Sequence, residues 1–177
     1  MKFTIKDTMP YSLETVFRTQ RDRLAELGEY LDGIDAIIVE DREEVSDSVI
    51  KFVNLWKAAS TDIPKVARAF IKPEMLQWHD YATWDESDWS CKWEMKLGFL
   101  PDAIEARGHN TWKSLGDRTL VTINGEIVIH GNKIPGVPRL LAGKVSDAVE
   151  KFVVKMIEPN LKKTNEGVTA YIRDHQG

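Results

Sequence analysis

From Trp89 to Phe99 the chain alternates without a miss, with Trp89, Cys91, Trp93, Met95, Leu97 and Phe99 set against Ser90, Lys92, Glu94, Lys96 and Gly98. A period of two puts all six apolar side chains on one face of an extended strand, whereas a helix would scatter them around its circumference. The spacing therefore predicts a half-buried strand. The run before it repeats the pattern: Trp78, Asp80, Ala82 and Trp84 share one face, Gln77, His79, Tyr81 and Thr83 the other, and Asp85 to Asp88 is the turn between. Four of the six tryptophans lie between Trp78 and Trp93, so the sheet these strands build must cover a large indole surface.

The remaining pattern places that sheet in an α+β chain. Lys2 to Met9 reads as a first strand with Phe3 and Ile5 on one face, closed by Pro10. Leu13, Phe17, Leu24, Leu27 and Leu31 keep one apolar stripe on a helix or a broken pair of helices, with Gly28 and Gly33 as stops. Ile34 to Glu40 and Ser48 to Lys57 read as an antiparallel pair separated by the acidic stretch Asp41 to Glu44. Ser60 to Pro73 reads as a short helix, with a Ser-Thr-Asp start and Pro64 in its first turn. Ile104 to Lys113 is a further strand. Arg118 to Ile123 and Glu126 to His130 read as a hairpin about a type I′ turn at Asn124-Gly125. From Pro138 the spacing is helical through Leu141, Val145, Phe152 and Met156, with a kink expected at Pro159. An antiparallel sheet of about seven strands with a long C-terminal helix across one face, all in one domain over 1–177, is the architecture this order implies.

Composition bounds the function classes. The chain has 177 residues and a formal net charge of −4, with 28 acidic against 24 basic residues. Such a chain lacks the positive field that supplies most affinity for nucleic acid. Residues 1–50 hold twelve acids against six bases and residues 138–177 seven bases against five acids, which leaves open a weak contact of the basic tail with an anionic membrane surface. The longest uncharged run, Thr119 to Gly125, is far short of a membrane span. One cysteine forms no internal disulfide, and the N-terminus carries no secretory pattern, so the cytoplasm is the expected compartment.

No metal or cofactor motif stands out. His79, His109, His130 and His175 are isolated, and no zincin, nucleophile-elbow, Cys-x-x-Cys or dinucleotide pattern occurs. Gly136 to Lys144 fails as a phosphate loop in both spacing and magnesium ligand. Cys91, flanked by Trp89 and Trp93, reads as a small buried hydrophobe rather than a nucleophile.

The element order resembles the START-like (SRPBCC) superfamily, whose helix-grip fold wraps a curved antiparallel sheet around the C-terminal helix. Ile63-Pro64, Phe70 to Pro73, the strand ending at Trp84, Arg107-Gly108 and Ile134 to Pro138 are similar to an uncharacterised bacterial family within it. The resemblance implies a cavity between sheet and helix that takes a hydrophobic ligand.

Within such a cavity, Trp56, Trp84, Trp89, Trp93 and Met95 from the sheet and Phe152 and Met156 from the helix are the expected wall. Asn54, Asp80 and Asn110 are polar residues on otherwise apolar faces, so each is paired internally or aimed at a ligand or water. Glu105, Arg107 and His109 read as solvent-side. Three functions are compatible with this pattern. The first is a binding protein for a lipid, isoprenoid, quinone or aromatic compound. The second is a cyclase or isomerase using Asp80 as a buried acid, and the third is an interaction module acting through the acidic first half.

Overall fold

The computed structural model describes residues 1–59, 77–98, 102–133, 139–141, 143–144, 147 and 163–175. The expected helix over Ser60 to Pro73, the Pro159 kink, and Phe152 and Met156 lie outside the described residues.

Seven strands, β1 (Lys2–Met9), β2 (Ile34–Glu44), β3 (Val49–Ala58), β4 (Gln77–Asp85), β5 (Ser90–Leu97), β6 (Ile104–Ser114) and β7 (Thr119–Ile129), form one curved antiparallel sheet in the order β1-β7-β6-β5-β4-β3-β2. Between β1 and β2 lie helices α1 (Leu13–Asp22) and α2 (Leu24–Leu27), followed by a 3-10 turn over Gly28–Tyr30. Residues 163–175 form the C-terminal helix, α3.

The core sits on one face of the sheet, under the helices. Ser12 caps α1 by accepting from the Thr15 N–H, and Leu13, Val16 and Phe17 on one side of that helix are buried against the strands. Arg18 and Arg21 on its outer side reach Glu86 in the β4–β5 turn at 2.5 and 2.6 Å and hold its carboxyl below the usual range. Val168, Tyr171 and Ile172 of α3 join the same core, while Asn165 donates to Asp7 of β1 at 2.9 Å. α3 thereby lies against the inner face at the β1 side.

Three readings of the sequence change. Asp41 to Glu44 does not separate two strands; it is the end of β2, where Arg42 pairs with Phe52 and Glu43 with Lys51 after a bulge at Val39/Asp41. β2 is an edge strand, so its side chains can face water on both sides, and charges there discourage pairing with another chain. Trp89 is not on the strand but closes the β4–β5 turn at φ 53, with β5 beginning at Ser90. Its left-handed backbone is what a four-residue loop of this kind demands at its end.

Asn124-Gly125 is not a turn. β7 runs straight through it, and the true hairpin bend is at Leu115 to Arg118, where Leu115 N–H donates to the Arg118 carbonyl at 2.8 Å and Gly116 has φ 86. The glycine of Asn124-Gly125 serves close approach instead. A Cβ on Gly125 would lie 2.1 Å from Cζ of Phe3, and one on the opposed Gly108 would lie 2.2 Å from Cζ2 of Trp93. Two aromatic rings from flanking strands therefore rest directly on bare backbone.

Gly116 makes a direct test of the hairpin bend. Nothing lies within 4 Å of a Cβ placed there, so Gly116→Ala should cost only the backbone penalty of a left-handed conformation, about 1 kcal/mol. A lowered urea midpoint with an unchanged m-value is the expected result. No loss at all would mean that the bend lies elsewhere.

Candidate functional site

The antiparallel register of β3 and β4 fixes which side chains meet on the inner face. Asn54 is directly opposite Asp80, and Trp56 is directly opposite Trp78. The row continues from Asp80 to Met95 of β5, Ala106 of β6 and Ile127 of β7, and from Trp78 to Leu97. Two polar residues and two indoles thus form adjacent cross-strand pairs with an otherwise apolar surround.

Burial at the polar pair is nearly complete, with Asn54 0% and Asp80 8% exposed. Asn54 Nδ2 donates to Asp80 Oδ2 at 3.2 Å, and the Trp56 and Trp78 rings stack at 5.7 Å and 15°. Beyond that one bond, four polar atoms of the cluster lack a partner of ordinary geometry among the described residues: Asn54 Oδ1, Asp80 Oδ1, Trp56 Nε1 and Trp78 Nε1, all buried. Each such group carries a desolvation cost of about 1–3 kcal/mol, and four of them share one patch.

Burial pushes the Asp80 carboxyl up to about 6, against the opposing pull of the Asn54 amide and of the nearby Trp56 N–H, which makes no bond of ordinary geometry. Among the described residues, no basic group contributes to that shift. A carboxyl with this pKa exchanges its proton near neutral pH. Cys91 is buried, and burial together with the charge of Asp80 pushes its thiol well up, the opposite of what a thiolate nucleophile needs.

The other expected wall residues divide between two places. Trp84, Trp89 and Trp112 surround Phe17 of α1, edge-on at 5.2, 5.1 and 5.1 Å. The Trp112 N–H is taken up by Gln20 of the same helix at 2.7 Å. Trp93 donates to Asn110 Oδ1 at 2.9 Å, so Asn110 is joined to a tryptophan rather than left unpartnered. Asn54, Trp56, Asp80 and Met95 come together in one patch. Trp78, which the sequence places on the right face without assigning it a role, completes it. The missed signal was cross-strand pairing, since Trp56 and Trp78 meet only once the β3–β4 register is known.

A concavity lies on the opposite face. Over the Gly108/Gly125 row the sheet leaves an open groove of about 790 Å³, bordered by Lys2 and Thr4 of β1, Lys92 of β5, Arg107 and His109 of β6, and Asn124 of β7. Arg107 is engaged by Glu126 at 2.8 Å, and His109 Nε2 is buried without a partner among the described residues. Among the described residues no cluster of His, Cys, Asp and Glu is placed to hold a metal ion, and no helix is long and apolar enough to cross a membrane.

No family model and no curated protein matches the chain. Solved structures do. A Thermus thermophilus protein is 19% identical with TM-score 0.66, covering 97% of this chain and 99% of that one. A Streptomyces aromatase/cyclase is 10% identical with TM-score 0.69, covering 100% and 96%. Norcoclaurine synthase from Thalictrum flavum, in complex with dopamine and hydroxybenzaldehyde, is 12% identical with TM-score 0.59, covering 100% and 88%. A START superfamily protein from Mycobacterium smegmatis is 12% identical with TM-score 0.54, covering 97% and 98%. The chain therefore has the helix-grip fold of these START-like structures.

Proposed function

We propose that the chain binds a hydrophobic small molecule, such as a lipid, isoprenoid, quinone or aromatic compound, between the inner face of its sheet and the C-terminal helix. The observation that carries this reading is the pair of opposed couples Asn54/Asp80 and Trp56/Trp78, whose four buried polar atoms lack partners among the described residues. Apolar burial would supply most of the affinity, and the four polar atoms would orient the ligand. The similar structures named for an aromatase/cyclase and for a synthase holding two aromatic compounds support an aromatic ligand.

A second reading, a cyclase or isomerase, is favoured by one observation. Asp80 has a pKa of about 6 and belongs to this patch, as a proton-transferring acid in such an enzyme would. Asp80→Asn separates the two readings, because a carrier keeps its affinity whereas an acid–base enzyme keeps binding and loses turnover.

Native mass spectrometry of freshly purified protein, with extraction and identification of what co-purifies, tests the binding itself. A bound mass, or a shift in tryptophan emission that Trp56→Phe diminishes, is the expected outcome. No bound mass and unchanged emission across lipids, quinones and polycyclic aromatics would overturn the reading.

A further inference from the structure

The unpartnered atoms of the inner patch have a definite chemistry. Two are donors, the indole N–H groups of Trp56 and Trp78, and two are acceptors, Asn54 Oδ1 and Asp80 Oδ1. All four belong to two adjacent cross-strand couples on one face of the sheet.

Each ligand class can be weighed against that set. A quinone, ester or ether oxygen accepts from the indoles and leaves both buried acceptors bare. An ammonium does the reverse. A carboxylate would set a second anion beside Asp80, which no basic side chain among the described residues offsets. A hydroxyl does both jobs at once, since its oxygen accepts from an indole N–H while its own proton goes to Asp80 or Asn54. The stacked indoles, with Met95 and Leu97 opposite their β4 neighbours, offer flat and polarisable surface for the body of the ligand.

Resting on the binding reading above, we propose that this site selects a neutral aromatic hydroxyl compound, a phenol or naphthol, over acceptor-only and anionic analogues of the same size. The hydroxyl sits on the Asn54/Asp80 couple and the ring lies against Trp56 and Trp78.

Equilibrium dialysis at pH 7 with naphthalene, 2-naphthol, 2-methoxynaphthalene and 2-naphthoate tests this directly. Naphthol should bind at least about tenfold more tightly than the methyl ether or the carboxylate, the discrimination expected when a buried polar group is otherwise left unpaired. Trp56→Phe and Trp78→Phe keep an aromatic ring and remove the N–H donors, and Asp80→Leu removes the carboxylate, including the oxygen that accepts from Asn54. Each should shrink the naphthol preference while naphthalene binding persists, with cooperative thermal unfolding verifying that the variants are folded. Equal binding of naphthol and its methyl ether, or a preference untouched in all three variants, would overturn the selection while the binding reading stands. If none of the four compounds binds, the selection falls, and the binding reading is decided separately by the co-purified mass and the emission tests with lipids, quinones and polycyclic aromatics.

Discussion

Replacing Phe17 by alanine should destabilise the protein by about 4 kcal/mol, the typical cost of deleting a fully buried phenylalanine ring. Phe17 is 0% exposed and sits at the centre of three tryptophans, with Trp84 at 5.2 Å and Trp89 and Trp112 at 5.1 Å, all within ten degrees of perpendicular. Edge-to-face pairs each add about 0.5–1.5 kcal/mol beyond area burial, and here one ring makes three of them. These contacts tie α1 to the end of β4, to the β4–β5 turn and to β6, so the loss is not confined to one element. Urea unfolding should show a sharply lowered midpoint, and emission should shift to the red as three indoles gain water. Phe17→Leu, which keeps apolar volume and loses the ring edges, should recover about half of the loss. A cost below about 1 kcal/mol for Phe17→Ala would mean that the tryptophans repack without it.

This division of the tryptophans explains what could and could not be read from the chain. Alternation from Cys91 to Leu97 and from Trp78 to Trp84 was legible because a strand's period is a local property, and the faces it assigned are those observed. Partner choice was not local. Whether an indole meets Phe17, as Trp84 does, or another indole, as Trp56 does, depends on registers between strands and on where α1 lands. Asn54 and Asp80 could be flagged as polar residues on apolar faces, yet nothing in either strand alone says that they oppose each other.

The errors have the same origin. Asn124-Gly125 carries the strongest local signal for a tight turn, but the sheet uses that glycine to seat Phe3, a residue more than a hundred positions away. Asp41 to Glu44 looks like a loop until β2 is known to be an edge, where acidic side chains are accommodated by solvent. Trp89 continued the alternation by chance of spacing, while the turn geometry bent it out of the strand and onto Phe17.

Asp80→Asn should stabilise the protein above pH 6 and leave it unchanged near pH 4. Burial raises the carboxyl from 3.8 to about 6 in the folded chain, so the folded state binds this proton more tightly than the unfolded state does. The stability associated with the neutral acid is fully present below about pH 3.8 and is lost as the pH climbs through 6. At about 1.4 kcal/mol per pKa unit the loss approaches 3 kcal/mol at pH 8. An asparagine is neutral at every pH, so it escapes that loss while still accepting from Asn54 Nδ2. Glu86 acts in the opposite sense, because Arg18 and Arg21 hold its pKa down and its contribution is lost as the pH falls. The raw pH profile therefore mixes both slopes, whereas the difference between variant and parent isolates Asp80. Urea titrations of both proteins at intervals from pH 4 to pH 8 should give a difference that is near zero at pH 4, rises between 4 and 6, and then levels off. A difference that is constant with pH, or a variant less stable than its parent at pH 8, would show that Asp80 is ionised in the folded chain at no cost. The buried patch would then lack the strained acid on which the enzyme reading depends.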